Sequence, residues 1–580
     1  MPKGVIQTSQ PSDLVTLKIL VEGAELSHTY SVMNIVVEKE INRIPTARII
    51  LLDGVPSEQD WELSNQDLFL PGKEIEIKAG YNSQEETIFK GIVIKHSLKI
   101  RTSQSFLIVE CKDKAVKLTI GRKSKYFYDS KDSDILEEII GTYGIDKDVE
   151  STTIQHKELV QYNVSDWDFC VIRAQANGKV LVVDDGKISV KKPDASQGEV
   201  ETVSYGTTML DFDAEMDARN QFQKVTSYGW NAADQVIQEM EASSPTVISS
   251  GNVSYDDLAA VIGLSNLELK NGAAAPDVAL QAWADAKTLF NRFSKIRGRV
   301  KFQGIPAVKP NTTLKLEGVG DRFNGKVYVS AVRHQIAEGN WTVDAQFGID
   351  PNWFSETVEI NDQPAAGLLA GVQGLQIGIV TQLESDPDGE NRILVRLPII
   401  SGSEQGIWAR VSTLDAGSER GSFFLPEIDD EVIVGFINGD PDHPVVLGMM
   451  NSSAKAAPLT AADANNEKGF TTRSKMKFIF NDDKKSVILE TPAGKKITVD
   501  EDAGIIQIED DFSNKITMDS AGIALESPKN ITIKASEDVI IDGKNVTLSA
   551  NVQFKASGNA GAEVSTGAIA ILKGSMVQIN

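Results

Sequence analysis

From about Phe478 to Asn580 the chain repeats short segments in which apolar and polar residues alternate, with little else between them. Ile497-Thr498-Val499-Asp500, Ile506-Gln507-Ile508, Ile516-Thr517-Met518-Asp519, Ile523-Ala524-Leu525-Glu526, Ile531-Thr532-Ile533-Lys534, Val539-Ile540-Ile541-Asp542, Val546-Thr547-Leu548-Ser549, Val552-Gln553-Phe554-Lys555 and Val577-Gln578-Ile579-Asn580 all show the pattern. A period of two sends the apolar groups to one face of a strand. The segments return every six to ten residues or so, too often for helices and too regularly for a sandwich with varied loops. Gly494, Gly504, Gly522, Gly543 and Gly558, with Pro528, stand where the chain must turn.

Each such strand buries two or three aliphatic side chains at about 1.5–3 kcal/mol apiece, against about 1–2 kcal/mol of backbone entropy per ordered residue. One ribbon does not fold on those terms. Either it coils into a single-chain β-helix, or several copies wrap around one another and fill a common interior. Single-chain β-helices have longer coils, so the short recurrence favours an intertwined homo-oligomeric needle over a β-helix or an ordinary β-sandwich. Its shared core is expected at Ile497, Val499, Ile506, Ile508, Ile516, Met518, Ile523, Leu525, Ile531, Ile533, Val539, Ile541, Val546, Leu548, Val552 and Phe554.

At 580 residues the chain has room for three or four domains. A hydrophobic fraction of 41% and a charged fraction of 24% are those of a soluble globular protein. The net charge of −24 argues against a nucleic-acid or anionic-membrane binder, because phosphate binding needs a basic stripe. The first residues carry no apolar core of signal-peptide length and no run is long enough to span a bilayer, so synthesis in the cytosol is expected. Cys111 and Cys170 read as small buried hydrophobes in a reducing compartment.

Leu17–Val21, Ile35–Val37, Ala47–Leu51, Glu74–Lys78, Ile88–Val93 and Phe106–Glu110 read as successive strands of an antiparallel barrel or sandwich. Helices are expected to open at Asp134, with Glu137 three residues on, and at Ser165, with Asp168, both in capping-box spacing. Phe169, Ile172 and Ala176 share a face of the second, which Asn177-Gly178 ends before a strand at Val180–Val183. Ser243 to Pro276 is polar and reads as a surface insertion. Val278–Ile296 has helical spacing, with Trp283, Ala286, Leu289, Phe290 and Phe293 on one face. Strands resume through Val300, Leu314, Val327 and Val343. The expected divisions are a region 1–360, a linker 361–374, a compact five-stranded barrel of oligonucleotide/oligosaccharide-binding (OB) type at 375–450, a linker 451–467 and the needle 468–580.

Chemistry is harder to place. The histidines, His28, His96, His156, His334 and His443, are scattered, with no zinc-helix or Cys/His spacing. No nucleophile elbow or P-loop is present, and Gly318-Val319-Gly320 with Gly325 sits among strands without a following helix, which makes it a turn. Asp386-Pro387-Asp388-Gly389 and Asp440-Pro441-Asp442 are acidic enough for a cation but supply the geometry of turns. No cofactor, metal or catalytic residue is assigned. The rival to a structural role is a trimeric β-helical tail enzyme that cleaves cell-wall or capsular polysaccharide with paired carboxylates in the needle.

A resemblance sharpens this. Asp386-Pro387-Asp388-Gly389 leading to Arg392–Val395, then Trp408-Ala409-Arg410-Val411, Ala416-Gly417, Gly421–Glu427, Asp430–Phe436 and Gly439–Gly448 resemble the OB-fold signature of the VgrG and phage-baseplate hub–spike family. Asn42–Ala47 followed by Asp53-Gly54, Pro71-Gly72, and Ser165–Phe169 with Asn177-Gly178 resemble its hub half. The resemblance implies a mainly β homotrimer: barrel-like hub domains with a few helices, an OB-fold collar and an intertwined trimeric β-prism. It also implies partners, namely inner-tube and baseplate proteins at the hub, a PAAR-type tip protein against Met576, Val577, Ile579 and Asn580, and effector cargo, with transient contact with a target membrane. Such a protein works when ejected, or as part of an extracellular particle. Neither an inserted lysozyme domain, for which 451–467 is too short, nor a toxin domain beyond Asn580 is expected.

Overall fold

The computed structural model describes residues 14–245, 247 and 250–579. The protein is mainly β and divides into two compact units, one running to Val372 together with Asn438–Pro441, the other comprising Gln373–Ile437 and the residues from Asp442 onward.

In the first unit, alternating apolar residues build strands at Val15–Val21, Val32–Glu40, Thr46–Leu52, Glu74–Tyr81, Gln84–Ile100 and Ser105–Lys112. Their inward positions, among them Ile35, Val37, Ile49, Leu51, Ile77, Phe89 and Val109, are fully buried in one core. A second core gathers Val300, Phe302, Leu314, Val329, Val343 and Phe347. The two halves share a single thirteen-stranded sheet. They join because the long strand Gly325–Ala337 pairs antiparallel with Asn340–Phe347 on one side and with Val32–Glu40 on the other.

A third core packs two helices on the three-stranded sheet of Asp146–Val149, Val180–Asp184 and Lys187–Lys191. The first helix is Asp132–Gly141, two residues earlier than its expected start. Asp134 is therefore not its opening residue but sits within the first turn, where its carboxylate accepts the Lys131 backbone N–H at 3.3 Å. The second, Asp166–Ala176, starts as expected: the Ser165 hydroxyl accepts the Asp168 backbone N–H at 3.1 Å. Burial pushes the Cys111 thiol up to about 12, and the fully buried Cys170 thiol rises further, so both are inert packing groups.

Ser243 to Pro276 is more ordered than its polar composition suggested. It holds the helix Tyr255–Ile262, capped by Ser254, and the strand Leu267–Lys270, which pairs parallel with Val225–Asn231. The helix Asp277–Phe293 packs across that small sheet, with Leu280 over Gly229 and the Ser227 hydroxyl donating to the Leu280 carbonyl at 2.8 Å.

A buried cation ties these parts together. Lys39, 2% exposed, lies between Asp184 and Asp185, 2.9 Å from the latter, while Lys309 reaches Asp184 at 2.7 Å. Burial pushes the Asp184 carboxyl up, but Lys39 and Lys309 outweigh it and hold it below the ordinary range. Lys39→Met leaves Asp184 and Asp185 to share Lys309 alone, at 2.7 and 3.6 Å. A fully buried broken pair costs about 3–5 kcal/mol; with Asp184 partly exposed, about 2–4 kcal/mol is expected, read as a lower urea midpoint of the first unfolding transition. The contribution of Asp184 is present above the unfolded carboxylate value of about 3.9 and is lost as pH falls through its lower folded value.

In the second unit, the strands Gln376–Gln382, Ile393–Arg396, Ile407–Val411, Pro444–Met449 and Glu431–Phe436 close in that order into a barrel. Val380, Val395, Ala409, Val432, Val434 and Val446 fill it and are fully buried.

Candidate functional site

Seven strands follow the barrel: Glu467–Thr471, Lys477–Asn481, Ser486–Glu490, Lys496–Asp500, Ile505–Glu509, Lys515–Asp519 and Gly522–Glu526. They form one antiparallel meander in which each strand pairs with the next. Gly494 and Gly504 take φ of 88° and 63° in two of the intervening turns, a conformation open to glycine at no steric cost.

The register runs without a shift from the first strand to the last, so residues stack into columns. One column is Phe470, Phe478, Leu489, Ile497, Ile508, Ile516 and Leu525. A second, on the same face, is Phe480, Val487, Val499, Ile506, Met518 and Ile523. Between them, on the opposite face, run Gly469, Ile479, Ile488, Thr498, Gln507, Thr517 and Ala524. Strands spaced about 4.8 Å apart make the first column about 29 Å long and the second about 24 Å.

Within one chain this face lies in water. Ile497, Val499, Ile506 and Ile508 are 41–45% exposed, whereas Thr498, between them on the other face, is 8% exposed. A contiguous aliphatic face of this length exceeds the few hundred Å² that lone soluble proteins leave uncovered. Burying the exposed half of its thirteen apolar side chains yields about 10–20 kcal/mol per chain at about 1.5–3 kcal/mol for each full burial.

The structure therefore brings together Ile497, Val499, Ile506, Ile508, Ile516, Met518, Ile523 and Leu525. It does not bring together the remaining expected core positions. Ile531, Ile533, Val539, Ile541, Val546, Leu548, Val552 and Phe554 lie in a segment, Pro528 to Ile579, that carries no strand and in which every residue is exposed. Among the described residues the expected strands there have no partner: the meander ends at Glu526, and Pro528 has no N–H to continue its ladder. Met576, Val577 and Ile579 are exposed in the same segment, and Asn580 lies outside the described residues. Phe470, Phe478, Phe480, Val487 and Leu489 extend the columns beyond the residues singled out from sequence. Phe478-Ile479-Phe480 and Val487-Ile488-Leu489 are continuous apolar runs, which hide a period of two; hairpin register was the missing signal.

Other candidate chemistry resolves into structure. The Asp386 carboxylate accepts backbone N–H groups of Asp388, Glu390 and Arg392 at 3.2, 2.9 and 3.1 Å, and the Arg392 guanidinium holds it well below the usual carboxylate range. Its oxygens are spent on closing the turn. A cleft of about 670 Å³ in the first unit is lined by Arg297 and Arg299, already paired with Glu215 and with Asp211, Asp213 and Asp344. Among the described residues no cluster of His, Cys, Asp and Glu could hold a metal ion, and no helix is long and apolar enough to cross a membrane.

Residues 11–338 match the family model described as the Alg8 N-terminal domain, and residues 376–450 match that of the type VI secretion system/phage-baseplate injector OB domain. Among curated relatives, the type VI secretion system spike protein VgrG3 of Vibrio cholerae is 33% identical over 106 residues, 18% of this chain and 10% of that protein. The actin cross-linking toxin VgrG1 of V. cholerae is 29% identical over 173 residues, 29% of this chain and 15% of that protein. The matches thus span only a tenth to a seventh or so of these relatives' own length. A tail protein from Neisseria meningitidis overlays 58% of this chain and 98% of its own at 13% identity, with a TM-score of 0.43. With its model covering more than half of the length, the Alg8 N-terminal domain family is the one the chain belongs to, and the chain carries after that domain the type VI secretion system/phage-baseplate injector OB domain, with similarity to VgrG spike proteins.

Proposed function

We propose that the protein is the homotrimeric spike of a contractile injection system. It joins the inner tube and baseplate, through its amino-terminal hub, to the puncturing tip, and carries effectors across a target envelope. The observation that carries this reading is the uncovered aliphatic face of the meander, continued by a segment exposed at every residue. Three copies turning these columns inward make a closed prism with a dry interior, and the tail beyond Glu526 finds in the other copies the strands it lacks in its own. A closed prism has no long free edges, so it resists shear and aggregation. Met576, Val577, Ile579 and Asn580 then present the prism end to a PAAR-type tip protein. The shaft itself, with 14 Lys and Arg against 15 Asp and Glu over 468–580, carries no positive excess to hold it on anionic lipid as it passes.

The test is twofold. Light scattering of the intact chain should give a trimer, and a chain ended after Ser453 should be monomeric or weakly trimeric, because the needle supplies much of the shared core. A truncated chain still running as a tight trimer would contradict that. In cells, a tagged copy should co-purify with tube and baseplate proteins. Release of reducing ends from cell-wall glycan, abolished by one Asp or Glu substitution in the needle, would replace this reading with an enzymatic one.

A further inference from the structure

The two ends of the meander's strands carry a charge pattern visible only in register. At one end, on the face opposite the apolar columns, Lys477, Glu490, Lys496, Glu509, Lys515 and Glu526 stand in line and alternate strictly in sign. At the other end of the same strands stand Asn481, Ser486, Asp500, Ile505, Asp519 and Gly522. Every strand with Lys at one end has Asn or Asp at the other. Every strand with Glu at one end has a residue without charge at the other.

Side by side, the Lys/Glu column serves the single chain, as where Lys477 lies 3.4 Å from Glu490, but the matching of one strand end to the other does not. The two ends of a strand are four residues, about 13 Å, apart. Among the described residues the side chains of Lys496 and Lys515 make no hydrogen bond or ion pair. Asp500 and Asp519 each spend one oxygen on a turn N–H, of Ala503 at 2.8 Å and Ala521 at 2.7 Å.

The pattern acquires a purpose once three sheets related by a threefold axis form the faces of a prism, an arrangement that rests on the trimeric reading above. A threefold contact is head-to-tail, so the Lys/Glu end of one sheet meets the Asp end of the next. With strands at the same level, Lys496 faces Asp500 and Lys515 faces Asp519. A slip of one strand either way sets Glu490 or Glu509 against Asp500, and Glu509 or Glu526 against Asp519, like charges throughout. Opposite charges across strands attract and like charges repel, and repulsive alternatives are how interfaces exclude wrong registers. We propose that Lys496 and Lys515 of one copy pair with Asp500 and Asp519 of the next, and that these corner contacts fix the axial register of the three sheets.

The experiment uses full-length protein carrying Lys496→Cys with Asp500→Cys, compared with Glu509→Cys/Asp500→Cys and Glu490→Cys/Asp500→Cys. The native Cys111 and Cys170, 1% and 0% exposed, stay silent. A disulfide needs Cα atoms within about 7 Å, so mild oxidation should link the level pair into covalent trimers on a non-reducing gel, at least tenfold more than either shifted pair. Lys515→Cys/Asp519→Cys repeats the test two strands along, in case the first variant assembles poorly. Equal linking of level and shifted pairs, linking of a shifted pair instead, or no linking in a protein that light scattering shows to be a trimer would each overturn the register assignment and leave the trimer standing. A monomeric wild-type protein in that scattering control would instead sink the trimeric reading itself.

Discussion

Replacing Ile508 by Asp is expected to leave the protein monomeric at micromolar concentration. Ile508 stands between Ile497 and Ile516 in an apolar column and is 44% exposed in the single chain. In the trimer the substitution puts three carboxylates into one dry interior. Each buried unpaired ion costs several kcal/mol, and each lost isoleucine forfeits about 1.5–3 kcal/mol more, so the total is on the order of 10 kcal/mol or more per trimer. At about 1.4 kcal/mol for each factor of ten, assembly weakens by about seven orders of magnitude. Gln507→Asp, one residue away on the opposite face, is the control and should assemble normally. Light scattering on the two variants decides the matter, and an Ile508→Asp protein that remains a stable trimer would mean the columns face outward.

The second large effect concerns the tail. Lys529, Lys534, Lys544, Lys555 and Lys573 are five trypsin sites in a segment where every residue is exposed and none belongs to a strand. In a monomer, cleavage there needs no prior unfolding. In a trimer whose copies pair their tails, it requires opening a cooperative unit, so protection should rise on the order of a thousandfold or more. Wild-type protein should therefore keep its carboxyl-terminal peptides long after the Ile508→Asp variant has lost them, by mass spectrometry of timed digests. Fast loss from an intact trimer would place the tail outside the braid; slow loss from the monomer would show that it folds alone.

What could be read from sequence followed the range of the forces involved. The alternation at Ile497-Thr498-Val499 and Ile506-Gln507-Ile508 is local, and it foretold both the strands and the face they share. The Ser165/Asp168 cap is equally local and appears as expected, whereas the helix expected at Asp134 begins two residues earlier because Asp134 caps from within the first turn. The polar stretch from Ser243 to Pro276 read only as a surface insertion, because its order comes from elsewhere: the strand Leu267–Lys270 is recruited by Val225–Asn231. Ile531 to Phe554 carry the same local signal as the meander yet find no partner in their own chain, since alternation reports which face is apolar and not which strand lies alongside. The Lys/Glu column was invisible for a related reason. Hairpin turns of unequal length space its members unevenly in sequence, and only register aligns them.

The most direct test is the mass of the untreated full-length protein at nanomolar concentration. Three interlocked copies should weigh about three times the 63.0 kDa of one chain and should not dissociate on dilution. A species of 63.0 kDa whose carboxyl-terminal segment still resists trypsin would contradict the account, since the apolar columns would then be covered by the chain itself.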